Sequence, residues 1–237
     1  MDIYPDYWNN DELPKEVKLI TICRRIVSAV EGLWDASDDA AVRRLIIKIM
    51  YGEYADKREL LEQIRSELDT EMLGKAALEK MALMLHCFLL PGEDDALKLL
   101  AANTLIFKLG DVQNRTVALN YLTSYVENKN FNYAEKGSIA TVMESLLNEK
   151  RLAEDVRKTA RYLLFITGPE RLDAAEDQKA VLGHIRGMVE GNGFSSQCAA
   201  KRILESLVTF SNTTASTEKL RMAANYLEFK IRNPDKI

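Results

Sequence analysis

The stretch Asp155-Val156-Arg157-Lys158-Thr159-Ala160 opens an apolar run, and a similar phrase, Asp39-Ala40-Ala41-Val42-Arg43-Arg44, opens another run far upstream. Looser echoes begin at Asp111, Gln197 and Lys219. Each echo places a small residue about one helical turn in and a Leu one turn further on. The recurrence predicts a stack of similar helical units, an α-solenoid, which has a binding surface but no built-in chemistry.

Small residues mark the spacing of these units. They form two series, which are Ala118, Ala160 and Ala200, spaced 42 and 40 residues apart, and Ala140, Ala180 and Ala223, spaced 40 and 43 apart. A small side chain allows neighbouring helices to approach closely. A two-helix unit of roughly 40 residues is the length of HEAT and armadillo repeats.

The Asp39–Arg43 and Asp155–Ala160 phrases resemble the second, inner helix of a HEAT repeat, and Asp111–Ala118 is a partial match. The resemblance covers about residues 36–232. It implies an all-α, right-handed solenoid of antiparallel helix pairs, with ten or eleven helices and a concave face lined by the inner helices. The section 52–110 fits the period worst, because three helices stand there where two are expected.

Helical spacing of apolar residues runs along nearly the whole chain. It predicts a first helix over about Leu13–Trp34, a second from Asp39 to about Met50, and later helices at about 70–90, 93–109, 111–128, 152–167, 194–211 and 215–232. Three further helix starts carry an Asx residue followed three positions on by Glu, the pattern of a capping box: Asp56 with Glu59, Asn132 with Glu135, and Asp173 with Glu176. We therefore expect a single helical domain over 13–232, between an N-terminal arm or cap at 1–12 and a tail at 233–237.

Composition narrows the class of protein. The 237 residues are 47% hydrophobic and 29% charged, with a net charge of -4, which argues against a global grip on nucleic acid. The N-terminus has no secretory signal pattern, and the longest apolar stretch, about Met81–Leu90, is too short to span a membrane. Cys23, Cys87 and Cys198 are odd in number and widely spaced, so we expect free, reduced core cysteines and a cytoplasmic protein.

No stretch carries a catalytic, metal-binding or phosphate-binding motif, so we expect no cofactor and no enzyme activity. His86 and His184 are the only histidines. We expect His86 to be a hydrogen-bonded core or helix-end residue and His184 to lie on the surface. An enzyme with an unrecognised helical active site stays open as an alternative.

A basic group lies on the helices that we interpret as inner. Beside Asn114 it comprises Arg115, Arg157, Lys158, Arg161, Lys201 and Arg202. Two interpretations stay open. These side chains pair with acidic groups of the protein or are solvated, or they form a positively charged groove for an acidic or phosphorylated partner or a nucleic-acid backbone.

The aromatic, acidic N-terminus contains Tyr4, Tyr7 and Trp8. These rings cap the exposed first repeat, form a docking arm for another protein, or belong to a disordered segment. From the whole sequence we expect an adaptor or scaffold that binds another protein, through an acidic segment of that partner, along a concave helical surface. A nucleic-acid-binding HEAT-like protein is the alternative, and the sequence leaves the oligomeric state open.

Overall fold

A computed structural model describes residues 23–26, 56–70, 73–90, 93–128, 131–191, 194–213 and 216–233. The predicted second helix, most of the first helix and the aromatic residues Tyr4, Tyr7 and Trp8 lie outside the described residues. Residues 23–26 of the first helix are helical.

The described chain is all-α, as predicted, with no strand in any of these ranges. Its nine α-helices are α1 (Lys57–Thr70), α2 (Lys75–Phe88), α3 (Asp95–Thr104), α4 (Val112–Asn128), α5 (Tyr133–Leu147), α6 (Glu154–Thr167), α7 (Ala175–Glu190), α8 (Gln197–Ser211) and α9 (Glu218–Arg232). Together with residues 23–26 they agree with the expected ten or eleven helices. The six helices that the apolar spacing predicts after residue 70 are all present. Each begins one to five residues later than predicted.

The chain divides into two compact units, Met1–Ala118 and Leu119–Ile237, and α4 begins in the first and ends in the second. In the first unit, α1 and α2 both pack against the α3 segment. Three helices do stand between residues 52 and 110, as the sequence indicates. The core of this unit is aliphatic and Met-rich, and its fully buried members include Leu60, Leu61, Ile64, Met81, Met84, Leu85 and Phe88.

The end of α3 widens into a π-helical turn over Leu105–Leu109. Gly110 closes this turn with a positive φ of 51°, and its N–H donates to the Leu105 carbonyl at 3.2 Å. A left-handed backbone conformation at this position favours glycine, because glycine has no Cβ. Arg115 Nε, at the start of the next helix, donates to the Ile106 carbonyl at 3.2 Å and so satisfies a carbonyl near the end of the turn.

In the second unit, α5 packs against α6, α8 packs against α9, and α7 contacts both α6 and α9. The packing of consecutive helices is consistent with a helical repeat. Phe165 of α6 and Phe210 of α8 are fully buried, and their ring centroids lie 5.8 Å apart. This aromatic pair joins α6 to α8 at the centre of the unit.

Two of the three predicted capping boxes have their Asx cap, and one is wrong. Asn132 and Glu135 form the complete reciprocal box at the start of α5. Asp56 accepts from the Glu59 N–H at 2.8 Å. By contrast, α7 starts after Ala174, which makes no side-chain cap. The helix therefore begins one residue too late for Asp173 to be its cap.

The series of small residues is confirmed only in part. Ala118, Ala140 and Ala160 are buried. Ala200 is half-buried. Ala180 and Ala223 are exposed, so the prediction that they allow close approach of neighbouring helices is wrong. In α8 and α9 the buried small residues are instead Ala199 and Ala224, one position away from the predicted ones. The 40-residue period thus drifts in the last helices.

Candidate functional site

The second unit contains an open groove of about 270 Å³, which we call the Arg202 groove. It is formed by the residues before and at the start of α5, the end of α6 with the turn that follows it, and the middle of α8. Its lining comprises Phe131, Asn132, Tyr133, Lys136, Ile166, Pro169, Arg202, Glu205, Ser206 and Thr209. A groove of this volume has room for one or two side chains of a partner and is below the usual size of small-molecule sites.

An arginine over an aromatic ring forms one wall of the groove. The guanidinium carbon of Arg202 lies 4.1 Å from the centroid of the Phe131 ring, a cation–π contact. Phe131 in turn lies 6.3 Å from the ring of Tyr125, which is buried, and Tyr125 lies 6.0 Å from Tyr121. The Arg202 guanidinium therefore rests on a ring that also contacts an aromatic side chain of α4.

A second aromatic residue stands at the mouth of the groove. Tyr133 is the first residue of α5, directly after the Asn132 cap, and is 89% exposed. Lys136 follows it by three positions and so lies on the same side of the helix. Glu205 is the acidic residue among the lining side chains. The groove thus offers an exposed phenol, an ammonium and a guanidinium within one small surface.

Three of the six predicted basic site residues hold structural contacts. Arg115, in the first unit, donates to the Ile106 carbonyl. Arg157 Nη1 donates to the Leu147 carbonyl at 3.2 Å, and its Nη2 donates to the Glu149 carbonyl at 3.1 Å. Arg157 therefore ties the start of α6 to the end of α5.

Arg161 lies between two carboxylates. Its Nε donates to Asp177 on α7, and its Nη1 donates to Glu154 at 2.8 Å. Burial acts to lower the pKa of Arg161, but the two carboxylates outweigh it and the pKa lies above its usual value. This arrangement matches the interpretation of a pair within the protein.

The other three predicted residues have different surroundings. Lys158 and Lys201 are exposed, and Arg202 lies in the groove. Asp111 caps α4, since its carboxylate accepts at 2.9 Å from the backbone N–H of Asn114, the buried residue beside Arg115. Whether the six basic residues bind a partner stays a prediction, and the Arg202 groove contains one of them.

Sequence reasoning missed Glu127, which joins three parts of the second unit. Its Oε1 accepts from the Tyr162 hydroxyl at 2.8 Å, and its Oε2 accepts from the Ser195 hydroxyl at 2.7 Å. Its backbone carbonyl accepts from Ser196, the residue that caps α8. Burial, followed by the charge and hydrogen bond of Glu127, raises the pKa of Tyr162 well above its usual range. No motif in the sequence signals this cluster, because its members are up to 69 residues apart.

His184 lies beside this cluster and is half-buried, not on the surface as predicted. Its ring meets the Tyr162 ring edge-on, at 5.5 Å between centroids. Burial and the Lys158 charge lower the pKa of His184, against the opposing effect of Glu127. The imidazole packs here against the Tyr162 ring as an aromatic side chain.

His86 agrees better with its predicted role, since it lies near the end of α2 and is half-buried. Burial lowers the pKa of His86, and a hydrogen bond with the Asn114 side chain, together with the charge of Asp111, opposes that shift.

The first unit holds a buried ion-pair cluster around Glu93, whose side chain is 3% exposed. Arg25 Nη1 lies 3.3 Å from this carboxylate, and Lys57 also pairs with it. Burial raises the pKa of the nearby Cys87 thiol to about 11, so this buried cysteine stays protonated near neutral pH. Cys23 and Cys198 are also free, and both are half-buried.

Within the described ranges, no group of three or more His, Cys, Asp or Glu side chains is arranged to hold a metal ion. None of the helices in these ranges is both long and apolar enough to cross a membrane. Comparisons with protein-family models, with curated proteins and with solved structures yield no match.

Proposed function

We propose that this protein is an interaction module, an adaptor or scaffold, that binds an acidic segment of another protein in the Arg202 groove. The observation that carries the proposal is that one groove is lined both by the largely exposed Tyr133 and by an Arg202 guanidinium that rests on Phe131. Tyrosine and arginine are enriched among the residues that dominate binding energy at protein interfaces. A tyrosine this exposed contributes little to the fold, which leaves its surface available for contact.

Charge favours an acidic segment. Lys136 and Arg202 face the groove against Glu205. The second unit as a whole carries 17 Lys and Arg against 15 Asp and Glu, although the full chain has a net charge of -4. The basic excess therefore belongs to the unit that contains the groove.

We further propose that the helices form a HEAT-like or armadillo-like array. The supporting observations are the packing of α5 on α6 and of α8 on α9, and the recurrent position of Arg115 and Arg157 at the fourth residue of their helices. The array would present the groove on one of its faces.

The test is a selection of random displayed peptides against the full-length protein, followed by affinity measurements on the selected peptides. We expect enrichment of Asp and Glu, and at least a tenfold loss of affinity in Tyr133→Ser and Lys136→Glu. Lys150→Glu is the matched control, since Lys150 is exposed and outside the groove lining. Peptides without acidic enrichment, or equal affinity in all three variants, would contradict the proposal.

The nucleic-acid alternative is separated by a titration with a generic duplex at two salt concentrations. Backbone binding would give a steep loss of affinity with salt. We expect the duplex to bind weakly and not to compete with a selected peptide. Competition that is lost in Lys136→Glu would assign the groove to nucleic acid.

A further inference from the structure

The last helix, α9, exposes an apolar ridge. Met222 is 65% exposed, Tyr226 48% and Phe229 50%. They follow one another at spacings of four and three residues, so they lie in one row along the helix. The buried residues of α9, Ala224 and Leu227, face the rest of the unit on the other side. We call the exposed row the α9 ridge.

The ridge is too large to be a scatter of single surface residues. Three contiguous side chains of this size and exposure present on the order of 300 Å², which is the range of the largest apolar patch on a typical monomer. Such patches often serve binding.

The flanks of the α9 ridge are basic. Lys219 and Lys230 border it on one side, and Arg221 and Arg232 border it on the other, at the positions that 100° per residue assigns them. Glu228 accepts from Arg232 Nε at 2.9 Å, so these two charges offset each other, and the exposed Glu218 lies one turn before Met222. The Lys230 ammonium lies 5.6 Å from the Tyr226 ring centroid, at the edge of the ridge. A partner that covers the ridge therefore meets a net positive rim.

From this combination we infer that the α9 ridge is a second docking surface, separate from the Arg202 groove, whose occupant is an acidic amphipathic helix of a partner protein. A row at spacings of three and four residues fits between the side-chain rows of another helix. Asp and Glu beside the apolar stripe of that helix would pair with Lys219, Arg221 and Lys230. The added helix would pack on α9 as consecutive helices of this unit pack on one another.

Two other occupants fit the ridge less well. A second copy would bring Lys219 and Lys230 against the same basic rim, because both copies carry like flanks. A membrane surface takes up a broad apolar helix face. The α9 ridge is one side chain wide, and the wider apolar face of α9 is turned toward α7 and α8.

The experiment uses the full-length protein and two synthetic helical peptides of equal length. Both carry Leu at alternating spacings of three and four, and one has Glu at the flanking positions where the other has Lys. Binding is read from the Met222 methyl signal in a spectrum of methyl-labelled protein, assigned with Met222→Leu, and from calorimetry. We expect the Glu peptide to bind, to shift the Met222 signal and to weaken as salt rises, while the Lys peptide does not bind.

The ridge variant is Met222→Gln combined with Tyr226→Gln, which should keep the fold because both positions are exposed. The matched control is Ser138→Gln combined with Ser145→Gln, two exposed positions on α5. We expect at least a tenfold weaker Glu peptide in the ridge variant, unchanged affinity in the control, and unchanged thermal midpoints in both.

Four results would overturn the inference. The Glu peptide fails to bind, or it binds the ridge variant as tightly as the parent. In a sedimentation assay, vesicles containing an anionic lipid bind the parent protein but not the ridge variant, and the Glu peptide does not compete with the vesicles. This result would assign the ridge to a membrane. A concentration-dependent dimer disappears in the ridge variant, which would assign it to a second copy.

Discussion

Arg157 and Lys158 are neighbours in the sequence, and the structure gives them opposite energetic roles. The guanidinium of Arg157 donates to the carbonyls of Leu147 and Glu149, at the end of α5 and in the loop after it. The side chain of Lys158 is exposed. We predict that Arg157→Ala destabilises the protein and that Lys158→Ala leaves its stability nearly unchanged.

The magnitude follows from the two contacts. A hydrogen bond from a charged donor contributes about 1.5 kcal/mol at the low end of its range, which suits a half-buried arginine. Two such bonds give a loss of about 3 kcal/mol for Arg157→Ala. A surface change such as Lys158→Ala usually stays within about 0.5 kcal/mol. In a chain of this length, about 3 kcal/mol corresponds to a fall in the thermal midpoint of roughly 6–12 °C.

A third variant, Arg157→Lys, separates charge from geometry. It keeps the positive charge near the end of α5, where a helix carboxyl terminus favours a cation. Its single ammonium cannot reproduce the two-pronged contact of the guanidinium. We therefore expect the stability of Arg157→Lys to lie between that of the parent protein and that of Arg157→Ala.

The assay is urea denaturation followed by far-UV circular dichroism, with thermal melts as a second measurement. The reasoning is refuted if Arg157→Ala and Lys158→Ala unfold at the same urea concentration. In that case Arg157 would not hold α5 to α6, and its place in the predicted partner surface would regain support.

Three further changes test other parts of the structure by the same denaturation assay. Ala160→Leu should lower the free energy of unfolding by about 1–3 kcal/mol, because it overpacks a fully buried position. Ala180→Leu, at an exposed position, should change it by no more than about 0.5 kcal/mol, and equal losses would contradict the observed burial. Gly110→Ala should cost about 1 kcal/mol because φ is positive there, and a stabilised variant would argue against the left-handed turn. Glu93→Gln should cost about 3 kcal/mol because it leaves Lys57 and Arg25 without their shared carboxylate, and a neutral result would show that this ion pair is replaceable.

The helices could be predicted from the sequence because helix formation leaves local marks. Apolar spacing and the Asn132 cap each depend only on residues that are close together in the sequence, and the structure confirms both. The wrong prediction at Asp173 also has a local cause. An Asx residue caps a helix only when the helix begins directly after it, and here the helix begins after Ala174. The burial of Ala199 in place of Ala200 depends on how α8 is rotated against its neighbours, which no local pattern records.

The candidate site was less accessible to prediction, because its parts come from distant segments. Arg202 was among the predicted partner-binding residues, but Phe131 and Tyr133 were not. Phe131 matters only because α8 brings Arg202 over its ring, across 71 positions of the chain. The α9 ridge, in contrast, was visible in principle. Met222, Tyr226 and Phe229 form a second apolar stripe on a helix that already has one, which is a sequence signal for a helix with two contact faces.

In the two places where the structure describes it best, the recurring phrase supplies an arginine that bridges a chain reversal. Arg115 is the fourth residue of α4 and Arg157 the fourth residue of α6. Each reaches back to a carbonyl at or near the end of the preceding helix, over nine residues to Ile106 and over ten to Leu147. An arginine at this position is long enough to cross a short loop and satisfy carbonyls that the helix leaves open. Arg202 is the sixth residue of α8 and lies instead over Phe131 in the groove. The two arginines at the fourth helical position thus hold turns of the described chain, and Arg202, at a different position, lies in the groove.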